Sequence, residues 1–300
     1  MAKKSSSEER RSAAREQARQ IAEAQAKREK TVKVTVYSAI AVVVVGVLVV
    51  VGVLVFQSSR PGLAPKNLAS GAIAYASSGD GVMAVAPEGD AEEIEASGLP
   101  DVSESEAAEG APRVKVYLDF QCPGCAAFEE TNAQTLSRLA AEGTIIAEYE
   151  PVSILDRFSG GNEYSTRSAN MVTCLADSGQ TDVLPEVFSA LFAAQPEEGS
   201  GGMEDDELLS IAEEAGADLS APVSEETAAE IGDGGSATVE DCVTGVAFKK
   251  YVTDEAQTAL NDEGLEGTPY ITIDGEPYTG NWSDAQAFGA DLLRAAGQIS

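Results

Sequence analysis

Three hundred residues carry a formal charge of −30, from 50 acidic and 20 basic side chains, with no histidine. That length holds one domain of ordinary size plus appendages. So acidic a chain argues against nucleic acid as a partner, because phosphate binding needs a basic patch. The charge is uneven: residues 1–33 hold ten of the Lys and Arg with five Glu, a net of +5, and the rest carries −35. The acidic body reads as a solubility device for an ion-rich exterior. Four cysteines suit an oxidising compartment, though their number alone proves little.

In chain order, 1–33 is a polar tail on the cytoplasmic side that either attracts anionic lipid or, more simply, fixes topology. Residues 34–56 follow without a charge and dominated by valine. At 1.5 Å per residue, 23 residues make about 35 Å of helix, enough to cross a bilayer with some tilt. Lys27, Arg28, Lys30 and Lys33 precede this run and only Arg60 and Lys66 follow closely. The positive-inside rule therefore predicts a single-pass anchor with the N-terminus cytoplasmic and the rest of the chain extracytoplasmic. The competing reading, a cleaved signal peptide, would have a shorter apolar region.

Residues 57–71 read as a tether. Ala72–Tyr75 and Val82–Val85 flank Ser77–Gly81 and predict a small hairpin. Glu88 to Glu109 holds nine acidic residues and no basic one, which predicts a mobile, solvated loop.

The stretch Arg113 to Phe128 carries the chemistry. Val114, Val116 and Leu118 alternate with Lys115, Tyr117 and Asp119, the period of a strand. Cys122-Pro123-Gly124-Cys125 follows, with proline where a helix begins. Cys122 then faces unpaired backbone N–H groups and the positive end of the helix dipole, which favour its thiolate. Cys125 lies one turn on, within reach of a disulfide. Two other readings compete: half of a zinc site, and a short structural disulfide. A closed zinc site needs four nitrogen or sulfur ligands, and the chain has no histidine and no second C-x-x-C. A loop this short would constrain the unfolded chain only weakly. The spacing points to a redox dithiol, and neither metal nor cofactor is expected. Asp119 is either a buried proton acceptor beneath the dithiol or a hydrated acid at the sheet end.

A helix is predicted from Cys122 to about Glu142 and a second central strand over 145–152. Helices broken by Gly-rich turns at 199–202 and 232–235 fill 162–251. One long helix over 237–260, capped by Thr238 or Ser236, has a Val252, Ala256, Leu260 stripe. Tyr270–Ile273 is strand-like, Asp274-Gly275 a hairpin turn into Glu276–Thr279, and 284–296 an amphipathic helix with Phe288, Leu292 and Leu293 inward. The order is that of an α/β core with a helical insertion at about 160–255.

Tyr-x-Asp-Phe-x-Cys-Pro-x-Cys at 117–125, with Gly267-Thr268-Pro269 far downstream, resembles the DsbA-like thioredoxin-fold family. More narrowly it resembles the membrane-anchored, exported members of Gram-positive bacteria, as does the run Leu155-Asp156-Arg157 with Asn162 to Arg167. The resemblance covers roughly residues 72–300. It implies a thioredoxin-fold domain in which Cys122 is the nucleophile, Cys125 the buried resolving thiol, and Pro269 a cis-proline facing them. Thr268 beside it would offer its backbone to an extended peptide. It also implies thiol–disulfide exchange on exported proteins, with oxidation first, reduction or isomerisation second, and a non-catalytic tethered holdase as the contrasting class. Regeneration would fall to a membrane redox partner, DsbB-like or vitamin K epoxide reductase-like. Cys174 and Cys242, left over in an exported domain, most simply form a structural disulfide clamping the insertion; a second redox relay is the alternative. Gly124 stands where strongly oxidising members carry histidine, which predicts a weaker oxidant. Acidic surroundings, if close, would raise the Cys122 pKa further.

Overall fold

The computed structural model describes residues 62–68, 71–85, 102, 105–231 and 236–299, together with scattered positions before residue 61 that include 42–52. The chain divides into two compact units, Met1–Arg60 and Pro61–Ser300. In the first, residues 42–52 are helical and exposed. Among the described residues no helix is long and apolar enough to cross a membrane; most of the remaining expected anchor lies outside the described residues.

The second unit is built on a six-stranded sheet in the order β2-β1-β4-β3-β5-β6. Its strands are β1 (Ile73–Ser77), β2 (Val82–Val85), β3 (Arg113–Leu118), β4 (Ile146–Pro151), β5 (Tyr270–Ile273) and β6 (Glu276–Pro277). Only β3 and β4 pair in parallel, because α1 (Pro123–Ala141) crosses between them. The expected hairpin forms β1 and β2, antiparallel and closed by Ser78 N–H to Gly81 O. Asp274 and Gly275, with φ of 51° and 83°, turn β5 into β6. The last strand is shorter than expected and ends at Pro277.

One face of the sheet packs on α1 and on α8 (Ala285–Ala295). Val114 and Val116 meet Phe128, Leu136, Phe288 and Leu292 there, burying the apolar half of each amphipathic element. The insertion supplies the remaining helices: α2 (Tyr164–Asp177), α3 (Leu184–Ala193), α4 (Asp205–Glu214), α5 (Glu225–Ile231), α6 (Val239–Thr244) and α7 (Lys249–Asn261). Every residue of α2 is buried, so α2 is the insertion's axis.

Three expectations change. The long helix over 237–260 is two, α6 and α7, with the capping box of Thr238 and Asp241 at the start of α6. The break falls at Gly245 to Phe248, where Val246 takes φ 46° and the N–H of buried Phe248 donates to Asn170 Oδ1 at 2.8 Å. Burying a phenylalanine and pairing its backbone N–H outweigh the strain of one β-branched residue. Ala259, not Leu260, completes the α7 stripe, and Leu260 is exposed. Residues 62–68 of the segment read as a tether are docked. Leu68 is buried, Lys66 N–H bonds Asp177 Oδ1 at 2.9 Å, and the Asn67 amide bonds Ala176 O at 2.8 Å. Of the acidic loop, residues 106–108 are held by Glu106 N–H to Ser77 O and Ala108 N–H to Gly143 O; most of the rest, like the Gly-rich turn at 232–235, lies outside the described residues.

Candidate active site: a dithiol at the head of a helix

At the end of β3 the chain needs a sharp turn to enter α1, and Asp119 makes it. Its carboxylate is fully buried and accepts three hydrogen bonds: Gln121 N–H at 2.9 Å, Leu155 N–H at 2.9 Å and the Ser165 hydroxyl at 2.7 Å. Burial pushes its pKa up to about 6 despite those donors. The hydrated reading of Asp119 is thereby corrected. The bond seen at Cys125 comes from the Asp119 backbone N–H, 3.4 Å from Cys125 Sγ, while the carboxylate ties β3, the loop after β4 and α2 together.

Cys122 is the N-cap of α1 and Pro123 its first residue. The turn closes with Cys125 N–H to Cys122 O at 3.0 Å. Cys122 and Cys125 are both free thiols; Cys122 keeps 9% of its surface exposed and Cys125 only 1%, so an incoming sulfur meets Cys122 first. The two pKa values move apart. That of Cys122 is lowered to about 6, chiefly by the Cys125 thiol, against the opposing effect of burial. Thr268 and the Cys125 and Gly124 backbone N–H groups lower it further. The net shift is downward, so the acidic exterior does not dominate at Cys122. The pKa of Cys125 is raised well above the usual thiol range, first by burial and then by Cys122. Near neutral pH the pair is a thiolate at Cys122 held by the thiol of Cys125.

The opposite wall is the loop before β5. Thr268–Pro269 is a cis peptide bond, and Thr268 O lies 3.2 Å from Cys122 Sγ. The Thr268 hydroxyl is buried with no conventional hydrogen-bond partner and favours the anionic form of either sulfur. Gly124 is what lets the walls meet: a Cβ there would stand 3.2 Å from Pro269 Cδ and 3.6 Å from Cys122 Sγ. Any side chain at that position brings its Cβ with it, so Pro269 would have to give by a few tenths of an ångström.

Cys174 and Cys242 lie elsewhere, joined by a disulfide with an S–S length of 2.04 Å between α2 and α6. The segment 155–167, singled out in the sequence, reaches the site through Leu155 and Ser165 on Asp119, and Asp156 caps Thr166 from both oxygens at 3.0 and 2.6 Å. One residue at the site has no sequence signal. The Gln195 amide, just past α3, donates to Phe120 O at 2.8 Å and to Cys122 O at 3.0 Å. Phe120 packs at a tilt against Phe188 and Phe192, each 5.1 Å between centroids.

The family model described as Thioredoxin matches residues 107–289. Among solved structures, the chain is similar to the oxidised DsbA of Mycobacterium tuberculosis, at 24% identity and a TM-score of 0.53 over 76% of this chain and 94% of that one. The reduced disulfide bond oxidoreductase DsbG of the same organism gives 26% identity and 0.51, over 66% and 86%. The thiol–disulfide oxidoreductase MdbA of Actinomyces oris gives 19% and 0.53, over 79% and 94%. The DsbA and MdbA likenesses speak to the fold alone. No curated protein matches the sequence. With its β-α-β core, a cis-proline loop against the dithiol and a family match over more than half its length, this chain belongs to the thioredoxin family, carrying the Cys-x-x-Cys of a thiol–disulfide oxidoreductase at the head of α1.

Proposed function

We propose that this thiol–disulfide oxidoreductase oxidises exported proteins outside the cytoplasm, held to the membrane by residues 34–56. The observation that carries the redox reading is the separation of the two thiols: Cys122 lowered to about 6 and less buried, Cys125 raised and sealed. In the oxidised form a substrate thiolate attacks Cys122 Sγ. The Cys122–Cys125 bond breaks, and Cys125 leaves with the electron pair and takes a proton. A second substrate thiolate then attacks the substrate sulfur of the mixed disulfide and expels Cys122 as thiolate. The substrate leaves with a disulfide and two electrons stay on the dithiol. Cys122 is a good leaving group in that second step because the Cys125 thiol, Thr268 and the Gly124 and Cys125 N–H groups stabilise its anion. Pro269 and Thr268 form the wall along which an extended substrate would lie, with the Thr268 backbone as its pairing partner.

Two electrons per turn have to leave, and the acceptor we assign is a membrane redox partner of the DsbB-like or vitamin K epoxide reductase-like kind. Support for the membrane setting is the uncharged run at 34–56, the excess of Lys and Arg before it, and the helicity of residues 42–52. The test is to express Cys125→Ser in the native host and identify trapped partners by mass spectrometry. Mixed disulfides with exported, cysteine-containing proteins are expected. Trapping of cytoplasmic proteins alone would overturn the setting, and no trapping by a folded Cys125→Ser chain would overturn the activity.

A further inference from the structure

A cavity of about 700 Å³ lies away from the dithiol. It opens between the flank of α1, strands β1 and β4, and the inserted helices α3 and α4, a volume suited to a small organic ligand. Three aromatic rings form one wall. Tyr75 and Tyr149 meet edge to face with centroids 6.2 Å apart, and Tyr149 and Phe188 stand 5.6 Å apart. Most of the remaining surface is alanine, valine, proline and isoleucine.

Its charged groups are all of one sign. Glu129 of α1, Glu186 of α3 and Glu214 of α4 line it, and among the described residues no lysine or arginine does. Glu129 is the telling one. It is 7% exposed, its Oε1 accepts only the Ser189 hydroxyl at 3.3 Å, and its Oε2 is buried with no partner. A carboxylate in that position is costly unless a cation comes to it. Aromatic faces attract the same kind of ligand, through their quadrupoles.

We propose that this cavity is a binding site for a small amphipathic organic cation, an apolar body bearing one ammonium group, with Glu129 as counter-ion and the Tyr75, Tyr149 and Phe188 rings around the charge. A neutral or anionic molecule of the same shape would leave Glu129 unpaired. The site is distinct from the dithiol, and its occupancy does not depend on the redox reading above.

Proton competition gives the site a signature. Burial pushes Glu129 up to about 7, so a cation and a proton compete for the same oxygen. The other titratable groups facing it are Tyr149 on β4, Tyr75 on β1, Glu186 on α3 and Glu214 on α4. Both tyrosines are pushed well above their usual range and stay neutral between pH 6 and 8.

The test uses the full chain in lipid nanodiscs and two probes of nearly equal shape, 2-naphthylmethylamine and 2-naphthalenemethanol, followed by calorimetry. The amine is expected to bind one per chain, at least tenfold tighter than the alcohol at pH 8, and to weaken roughly tenfold on going to pH 6. Glu129→Gln should remove both the preference and the pH dependence while the alcohol's affinity is unchanged. Ala190→Trp, a rim substitution that fills the cavity, should abolish binding of both probes. Wild-type Cys122 alkylation rates in each variant would certify the fold. Equal affinity of amine and alcohol, retention of the preference in Glu129→Gln, or amine binding that survives Ala190→Trp would each overturn the proposal.

Discussion

At the scale of single residues the chemistry rests on Cys122, whose thiolate is favoured at neutral pH first by the Cys125 thiol, then by Thr268 and two backbone N–H groups. A thiol lowered to about 6 is about 90% ionised at pH 7, against about 1% for one titrating near 9. Alkylation of the reduced protein by iodoacetamide should therefore rise with pH to a half-maximum near 6. A midpoint above 8 would contradict the geometry. The same stabilisation of the reduced form sets the potential at roughly 30 mV per pKa unit. Thioredoxin, with a thiol near 7, sits at about −270 mV, and DsbA, near 3.5, at about −120 mV. Cys122–Cys125 should fall between them, measured by equilibration with glutathione; a value at or below about −270 mV would defeat the oxidase reading. Glycine at 124 bears on this through contact. It supplies an N–H to the sulfur and leaves room for Pro269, so the anion is held without the imidazole of stronger oxidants.

At the scale of elements, the insertion belongs to the active site. The helix α3 ends so that Gln195 holds the carbonyls of Phe120 and Cys122. Gln195→Ala should cost about 1–2 kcal/mol for two hydrogen bonds to a partly buried turn and raise the Cys122 pKa by loosening the N–H groups around Sγ; a drop in melting temperature with unchanged alkylation would make Gln195 merely structural. The Cys174–Cys242 bond clamps α2 to α6, closing a 68-residue separation. Its loss in Cys174→Ala/Cys242→Ala should remove up to about 4 kcal/mol in the chain-entropy model and leave the rate of insulin oxidation per folded molecule unchanged. A fall in that rate would restore the relay reading. The strand-turn-helix around Cys122, the Asp-Gly hairpin and the amphipathic last helix were legible because each has a local cause: alternation, proline at a helix start, apolar spacing. The split of α6 from α7 was not, because its causes, Asn170 and a buried Phe248, come from 78 residues away and from packing. Gln195 was hidden for the same reason. Asp119 stood in plain view, but nothing local says that Leu155 and Ser165 converge on it.

At the scale of the whole molecule, the fold buries several carboxyl groups of an already acidic chain. Asp119, Glu129 and Glu150 are pushed up to about 6, 7 and 8, in each case chiefly by burial. Glu150 reaches that value even though it pairs with Lys115. The sign follows from proton counting. Between about pH 4 and these raised values the folded chain keeps protons that the unfolded chain has released, so stability falls as pH rises. Cys122 works in the opposite direction above pH 6, since its folded value is depressed; forming the Cys122–Cys125 disulfide removes it from the balance. The oxidised protein should thus melt at a higher temperature at pH 5 than at pH 7.5, the reverse of a protein held by salt-bridged surface carboxylates. Glu129 isolates the effect, having no cationic partner to strand. Raised from 4.5 to about 7, it should cost roughly 2–3 kcal/mol at pH 7.5 and almost nothing at pH 4.5. Glu129→Gln should therefore stabilise the oxidised chain at pH 7.5 and leave it unchanged at pH 4.5, read by urea denaturation at both values. Equal stabilisation at the two pH values would mean that packing, and not the buried charge, limits the fold at that helix. A destabilisation at pH 7.5 would mean that the carboxylate already has a cation bound to it.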